Sequence, residues 1–316
     1  MNTNEKQIIP IFFASDDNYI PFLGVAIKSL LDNASDRYFY NIHILTEGLR
    51  EDNIKRIKAL ETPNCKIYFK DLSQNIARIK ERLSAILRDY YSVSIFYRIF
   101  IATLYPEYHK AIYLDCDIVL VDDISKMYEI DIKDNILGAA TDDVVYTSDV
   151  FTKYAEDGVG IYNHQYFNSG VLLMNLDAYR ENKIQEKFVY LLVKYNFDTI
   201  CPDQDYLNVL CKDKIFWLDK GWDRMPVGEF DGELHLIHYN NFKKPWYYDD
   251  VRYSEYFWEY ARKAEDFFDE ILSIKNNFTP KIAKEKEQGI INLANQAIKI
   301  YSSENNFCKV LAGKKI

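Results

Sequence analysis

Ala111-Ile-Tyr-Leu-Asp115-Cys116-Asp117-Ile-Val-Leu120 is an apolar run interrupted by two carboxylates one residue apart. Residues 111–114 have the length and composition of a buried strand, and Asp115 ends it. In open α/β sheets ligands bind outside the carboxyl ends of the strands, so this pair stands where chemistry is expected. Strands of the same type recur upstream at residues 8–14 (IIPIFFA), 40–46 (YNIHILT) and 66–69, with Pro10 a sign of an edge position. Helical spacing lies between them. Pro21 opens one helix, carried on by Val25, Ala26, Ser29 and Leu30. Ile54, Ile57 and Leu60 mark a second, and residues 94–104 a third. The alternation predicts an α/β fold with a Rossmann-like, mostly parallel central sheet flanked by helices.

Downstream the pattern is less regular. Residues 137–140 and 170–175 read as strands, and 149–166 as a loop containing Gly158 and Gly160. Gly158-Val-Gly160 is no dinucleotide fingerprint, since the third glycine position is Asn163 and no strand feeds it. Residues 177–195 are expected to be helical. So are 203–210, with Pro202 at the helix mouth, and 234–238 form a strand before the Pro245-Trp246 turn. From residue 275 to 316 eight lysines outweigh three glutamates, a net +5 that leaves −14 for the rest. Ile290, Ile291, Ala294, Ala297, Ile298 and Tyr301 share one helical face there. That face predicts a helix packed on the domain or lying at a membrane surface.

The whole chain has 316 residues, enough for one large domain or two modest ones. Its 39 basic and 48 acidic side chains give −9, and no dense basic stripe suits nucleic acid. Cys65, Cys116, Cys201, Cys211 and Cys308 contain no C-x-x-C pair, so reduced, mostly buried thiols are expected. The polar start over residues 1–7 lacks the apolar core of a signal peptide, and no apolar run is long enough to span a bilayer. Cytoplasmic residence is the expectation, with peripheral contact at the inner membrane face through the basic tail.

Four segments carry possible chemistry. Asp115 and Asp117 offer hard oxygen donors suited to magnesium or manganese. His238 ends a strand, where it either completes a metal set or makes a structural hydrogen bond. Lys244 follows six residues later and suits a phosphate. Asp16-Asp17-Asn18 follows the first strand and fits either a nucleoside contact or a plain Asx turn. Asp203-Gln204-Asp205 opens a helix, where an aspartate also serves simply as a cap.

Together and in this order, the segments resemble glycosyltransferase family 8, which includes bacterial lipopolysaccharide galactosyl- and glucosyltransferases and the glycogenins. The matching stretches are Phe13-Ala-Ser-Asp-Asp-Asn-Tyr19, Tyr97-Arg98, Tyr113-Leu-Asp-Cys-Asp117, Leu137-Gly-Ala-Ala-Thr-Asp142, Tyr166-Phe-Asn-Ser-Gly-Val-Leu-Leu-Met-Asn-Leu176, Asp203-Gln-Asp205 and the segment from His238 to Trp246. The resemblance implies a GT-A fold over residues 1–260, with 261–316 as a helical, basic C-terminal extension. It implies a UDP-sugar donor and a Mn2+ ion, Mg2+ being possible, held by Asp115, Asp117 and His238. Ala14, Asp16 and Asn18 would hold uridine, Lys244 and Asn241 would meet the diphosphate, and Cys116 would also belong to the nucleotide-binding set. Arg98, Asn168 and Asp203 would lie against the donor sugar, Asp142 beside the sugar and acceptor, and Gln204 beneath the anomeric carbon. One departure stands out: the family usually has glycine where this chain has Asn241, so the diphosphate contact there is altered.

The expected function is therefore a retaining transfer of galactose or glucose to a glycan or glycolipid hydroxyl. Two alternatives remain at this level. The strand followed by Asp-x-Asp also fits a haloacid-dehalogenase-like phosphatase with Asp115 as nucleophile, although some 110 residues precede it. A non-catalytic sugar-binding protein on the same scaffold is the other.

Overall fold

The computed structural model describes residues 6–77, 93–240 and 243–314. Its main sheet contains seven strands: β1 (Ile8–Ala14), β2 (Phe39–Thr46), β3 (Cys65–Asp71), β4 (Lys110–Leu114), β6 (Leu137–Ala139), β7 (Val171–Asn175) and β8 (Ile215–Trp217). Their order is β3-β2-β1-β4-β7-β6-β8. β1, β2, β3 and β4 run parallel, β7 runs against both its neighbours, and β6 and β8 are parallel. This is the expected GT-A arrangement of a mostly parallel sheet between helical layers. Pro10 lies in a strand paired on both sides, so the edge reading of β1 is corrected.

Both sheet faces are covered. On one, Ile11, Phe13, Ile112 and Leu114 pack with Leu23 and Ile27 of the Ile20–Asn33 helix and with Phe257, Phe267 and Ile271. On the other, Phe12, Tyr113 and Leu172 pack with Tyr97, Phe188 and Tyr206. Strand alternation delivers successive apolar residues to opposite faces, which explains near-continuous apolar runs such as IIPIFFA. The expected division at 260/261 falls inside the Ser254–Lys263 helix, whose Ala261 is buried in the first core.

A separate two-stranded sheet joins β5 (Ile118–Leu120) and β9 (Leu236–His238) antiparallel, with Ile118 opposite His238. The same pairing continues as Tyr239 N donates to Asp117 O at 2.8 Å. This short ladder brings two remote parts of the chain to one point.

Three local expectations change. Residues 149–166 are mostly helical turns (Asp149–Lys153, Tyr154–Val159, Asn163–Gln165), ended where Gly160 adopts φ 85°. Buried contacts of Tyr154 and Tyr166, described below, override the polar, glycine-containing composition. The predicted 177–195 helix is broken into Leu176–Glu181 and Ile184–Lys194 by Lys183 at φ 55°. In the Pro280–Ser302 helix the packed side is Gly289, Ala297 and Ile300, while Ile290, Ile291 and Ile298 are exposed. Ala297 and Ile300 pack there against Tyr154, Ala155 and Val159. Among the described residues no helix is long and apolar enough to cross a membrane.

Candidate active site

β4 ends at Leu114, and Asp115 N donates to Gly170 O at 2.7 Å. The chain then crosses to β5, placing Asp117 beside β9. His238 Nε2 lies 3.3 Å from Asp117 Oδ1 and 3.8 Å from Asp115 Oδ2. One atom from each of Asp115, Asp117 and His238 falls within 4.8 Å of the others. A Cβ added to Gly170 would come within 2.3 Å of His238 Cε1 and 2.6 Å of Asp115 Oδ2, so only glycine leaves this space open. Two carboxylates and an imidazole around a cradle of that size fit a divalent cation.

Cations already press on this acidic pair. Lys244 is 7% exposed, and its ammonium contacts Asp117 and the Tyr239 carbonyl. Arg98 Nη2 lies 2.8 Å from Asp115 Oδ1. Burial favours the neutral form of Asp117, but Lys244 and His238 outweigh it and hold the carboxyl well below its ordinary range. Burial likewise opposes charge on His238, yet Asp223 and Asp117 raise its pKa to about 10.

Asp223 was not legible from local sequence. It is fully buried, its Oδ1 lies 2.9 Å from His238 Nδ1, and burial pushes its pKa up to about 6. It fixes the ring so that Nε2 faces Asp115 and Asp117, the carboxylate–histidine arrangement typical of metal ligands. The neighbouring Arg224 pairs with Asp143 at 2.7 Å and ties the Lys220–Asp223 turn to the segment that carries Asp142.

A second cluster adjoins the first. Arg98 Nε is 3.2 Å from Asp203 Oδ2, and Ser169 Oγ donates to the same oxygen at 2.8 Å. Gln204 Nε2 donates to Asp142 Oδ2 at 3.0 Å, while its Oε1 accepts from Ser169 N at 2.9 Å. Asn168 Nδ2 also reaches Asp142 Oδ2, at 3.1 Å. Arg98, Asp142, Asn168, Asp203 and Gln204 thus form one buried network. Burial raises the Asp203 pKa although Arg98 and Ser169 oppose it. Ser169 was missed as a participant, though it lies within the Asn168-Ser-Gly170 motif.

Ala14 closes β1, and its carbonyl accepts from Cys116 Sγ at 3.2 Å. Asp16 Oδ1 accepts from Asn18 N at 2.9 Å, forming an Asx turn at the same sheet edge. Asp17 turns away to Asn53 at 2.7 Å. Asn241 lies outside the described residues. A further trio, Asp122, Glu233 and His235, has suitable ligand spacing, but Lys126 already occupies Asp122 at 2.7 Å.

The chain was compared with known families, curated relatives and solved structures. Residues 10–250 match the family described as glycosyl transferase family 8. A putative glycosyltransferase of Haemophilus influenzae is 28% identical over 70% of this chain and 65% of its own length. This chain therefore spans about two thirds of that relative. The lipopolysaccharide 1,2-glucosyltransferase of Escherichia coli K12 is 24% identical over 80% of this chain and 78% of its own. Among solved structures, galactosyltransferase LgtC in complex with donor and acceptor sugar analogues is similar, with 25% identity and TM-score 0.65. That likeness covers 81% of this chain and 96% of LgtC.

Proposed function

The chain belongs to glycosyltransferase family 8, and from that premise we propose that it moves galactose or glucose from a UDP-sugar to a hydroxyl of a glycan or lipid-linked saccharide, with retention of anomeric configuration. The observation that carries this reading is the convergence of Asp115, Asp117 and His238 within 4.8 Å, beside a cationic lysine and an arginine–carboxylate network. Those three residues would hold Mn2+, or Mg2+. When bound, the ion would stabilise the negative charge that builds on the departing diphosphate.

The protein groups divide the remaining work. Lys244 supplies a second positive charge to the diphosphate once it leaves Asp117. Ala14, Asp16 and Asn18 hold the uridine at the edge of β1, beside Cys116. Arg98, Asn168 and Asp203 orient the sugar. Asp142 borders the sugar and the acceptor. Gln204 has both ends of its amide engaged. A neutral amide is a weak nucleophile, so its role is to stabilise an oxocarbenium-like centre while the acceptor enters on the same face. The site must exclude water, which would otherwise hydrolyse the donor.

A phosphatase would need Asp115 to attack a phosphoryl group, yet Arg98 engages it at 2.8 Å and the family match runs through it. The test is a donor panel: purified chain, manganese and each UDP-hexose in turn, with UDP release measured without and with saccharide acceptors. Release is expected from UDP-galactose or UDP-glucose and is lost on chelation. Steady phosphate release from simple phosphoesters, with no UDP release from any donor, would refute the proposal.

A further inference from the structure

The Pro280–Ser302 helix lies wholly beyond residue 250, where the family match ends. Most of its lysines are ordinary surface cations. Lys281 faces Glu285 at 3.9 Å, and flanking Lys275 and Lys309 hold Asp249 at 2.6 Å and Glu304 at 2.9 Å. Lys286 differs. Its side chain is partly buried, and its Nζ lies 4.3 Å from the centre of the Tyr247 ring. Among the described residues no carboxylate lies within ion-pair distance of it.

Tyr247 belongs to the turn that presents Lys244. Its N–H donates to Lys244 O at 3.0 Å, and Lys244 itself reaches Asp117. The helix is held against this turn on its N-terminal side. Phe278 packs on Tyr247 with ring centres 4.9 Å apart, and Lys275 holds Asp249 just past the turn. Tyr19, just after β1, reaches the same turn through Phe22, whose ring lies 5.7 Å from the Tyr19 ring and stacks on Trp246 at 3.9 Å. Lys286 therefore stands against the turn that presents Lys244 to Asp117.

A partly buried ammonium on a ring face, close to a second ammonium and without a carboxylate, is a poor arrangement in isolation. Burial first, and the charge on Lys244 second, weaken its hold on its proton. A bound polyanion would relieve both penalties at once.

We propose that Lys286 is a second protein cation for the diphosphate of the bound nucleotide, so that the C-terminal helix forms one wall of the donor pocket. This rests on the nucleotide-sugar reading above. It gives part of the basic tail a task inside the pocket.

The test is titration of UDP, and separately of uridine, into the full chain and into Lys286→Met and Lys286→Arg, in manganese-containing buffer. Lys286→Met is expected to weaken UDP about tenfold or more, the loss of one charge-assisted contact, and to leave uridine unchanged. Lys286→Arg is expected to retain most of the UDP affinity. The UDP affinity of Lys286→Met should also depend less steeply on salt. Unchanged UDP affinity in Lys286→Met would overturn the inference. So would equal losses for UDP and uridine, which mark a pocket merely deformed by losing the helix pin. If the unaltered chain binds no UDP, the nucleotide-sugar reading itself fails.

Discussion

At Gly170, a missing side chain sets the size of the space beside His238 and Asp115, the cradle proposed for the metal. The Cβ of Gly170→Ala would press on His238 and Asp115, at 2.3 and 2.6 Å. Displacement of catalytic groups by about an ångström costs about 100-fold in rate. We expect Gly170→Ala to lose that much transferase activity and, because His238 is buried, to lower the melting temperature as well. Asp117→Ala removes a proposed ligand outright, and near-normal manganese-dependent transfer in that variant would contradict the proposed metal role. Asp223 acts one shell further out. Loss of such an orienting partner typically weakens metal binding about 10–100-fold, so Asp223→Ala should raise the Mn2+ dissociation constant by that factor, read by electron paramagnetic resonance. Asp115, Asp117 and His238 could be nominated from residue type, strand context and resemblance. Asp223 could not, because nothing adjacent to it in sequence distinguishes it from any other acidic residue.

The decisive element is the β5–β9 ladder, where a pairing register places Ile118 opposite His238. A one-residue slip would turn the imidazole away from Asp117, since side chains alternate across a strand. Such long-range pairing leaves no local periodic signal. β1, β2, β3 and β4 were legible because each is an apolar run with turn residues at its ends. The antiparallel direction of β7 was not, since direction depends on the path of the connection and not on composition. Helix packing obeys local size limits as well. A Cβ on Gly24 in the Ile20–Asn33 helix would meet the Phe267 ring at 2.4 Å. Phe267 is fully buried, so Gly24→Ala should cost about 1–3 kcal/mol in chemical denaturation. A neutral or stabilising effect would show that the ring can move aside.

Across the whole molecule, Asp205 ties the donor-site helix to the Tyr154–Val159 turn and to Tyr166. Tyr154 and Tyr166 hydroxyls each donate to it at 2.6 Å. Burial, only partly offset by these bonds, pushes its pKa up to about 7. A carboxyl raised in the folded state keeps a proton that the unfolded chain has already lost. Its contribution to stability is full below the unfolded value of about 4 and is lost as pH rises toward the folded value. Asp205→Asn should therefore flatten the fall in melting temperature between about pH 5 and about pH 7 relative to wild type. An unchanged slope would mean that the buried carboxyl does not titrate there. The scaffold was readable from motif order, and the same motifs nominated residues that the fold brings together around Asp115, Asp117 and His238. The packing of residues 149–166 and of the tail was not, because both depend on which distant surfaces they cover.

The central claim is that Asp115, Asp117 and His238 bind one divalent ion that grips a nucleotide's diphosphate. Calorimetric titration of UDP into the chain with Mn2+ present, repeated after chelation with EDTA, tests it most directly. The account predicts clear binding with manganese and a loss of about 100-fold or more without it. Equally tight UDP binding in EDTA would contradict it.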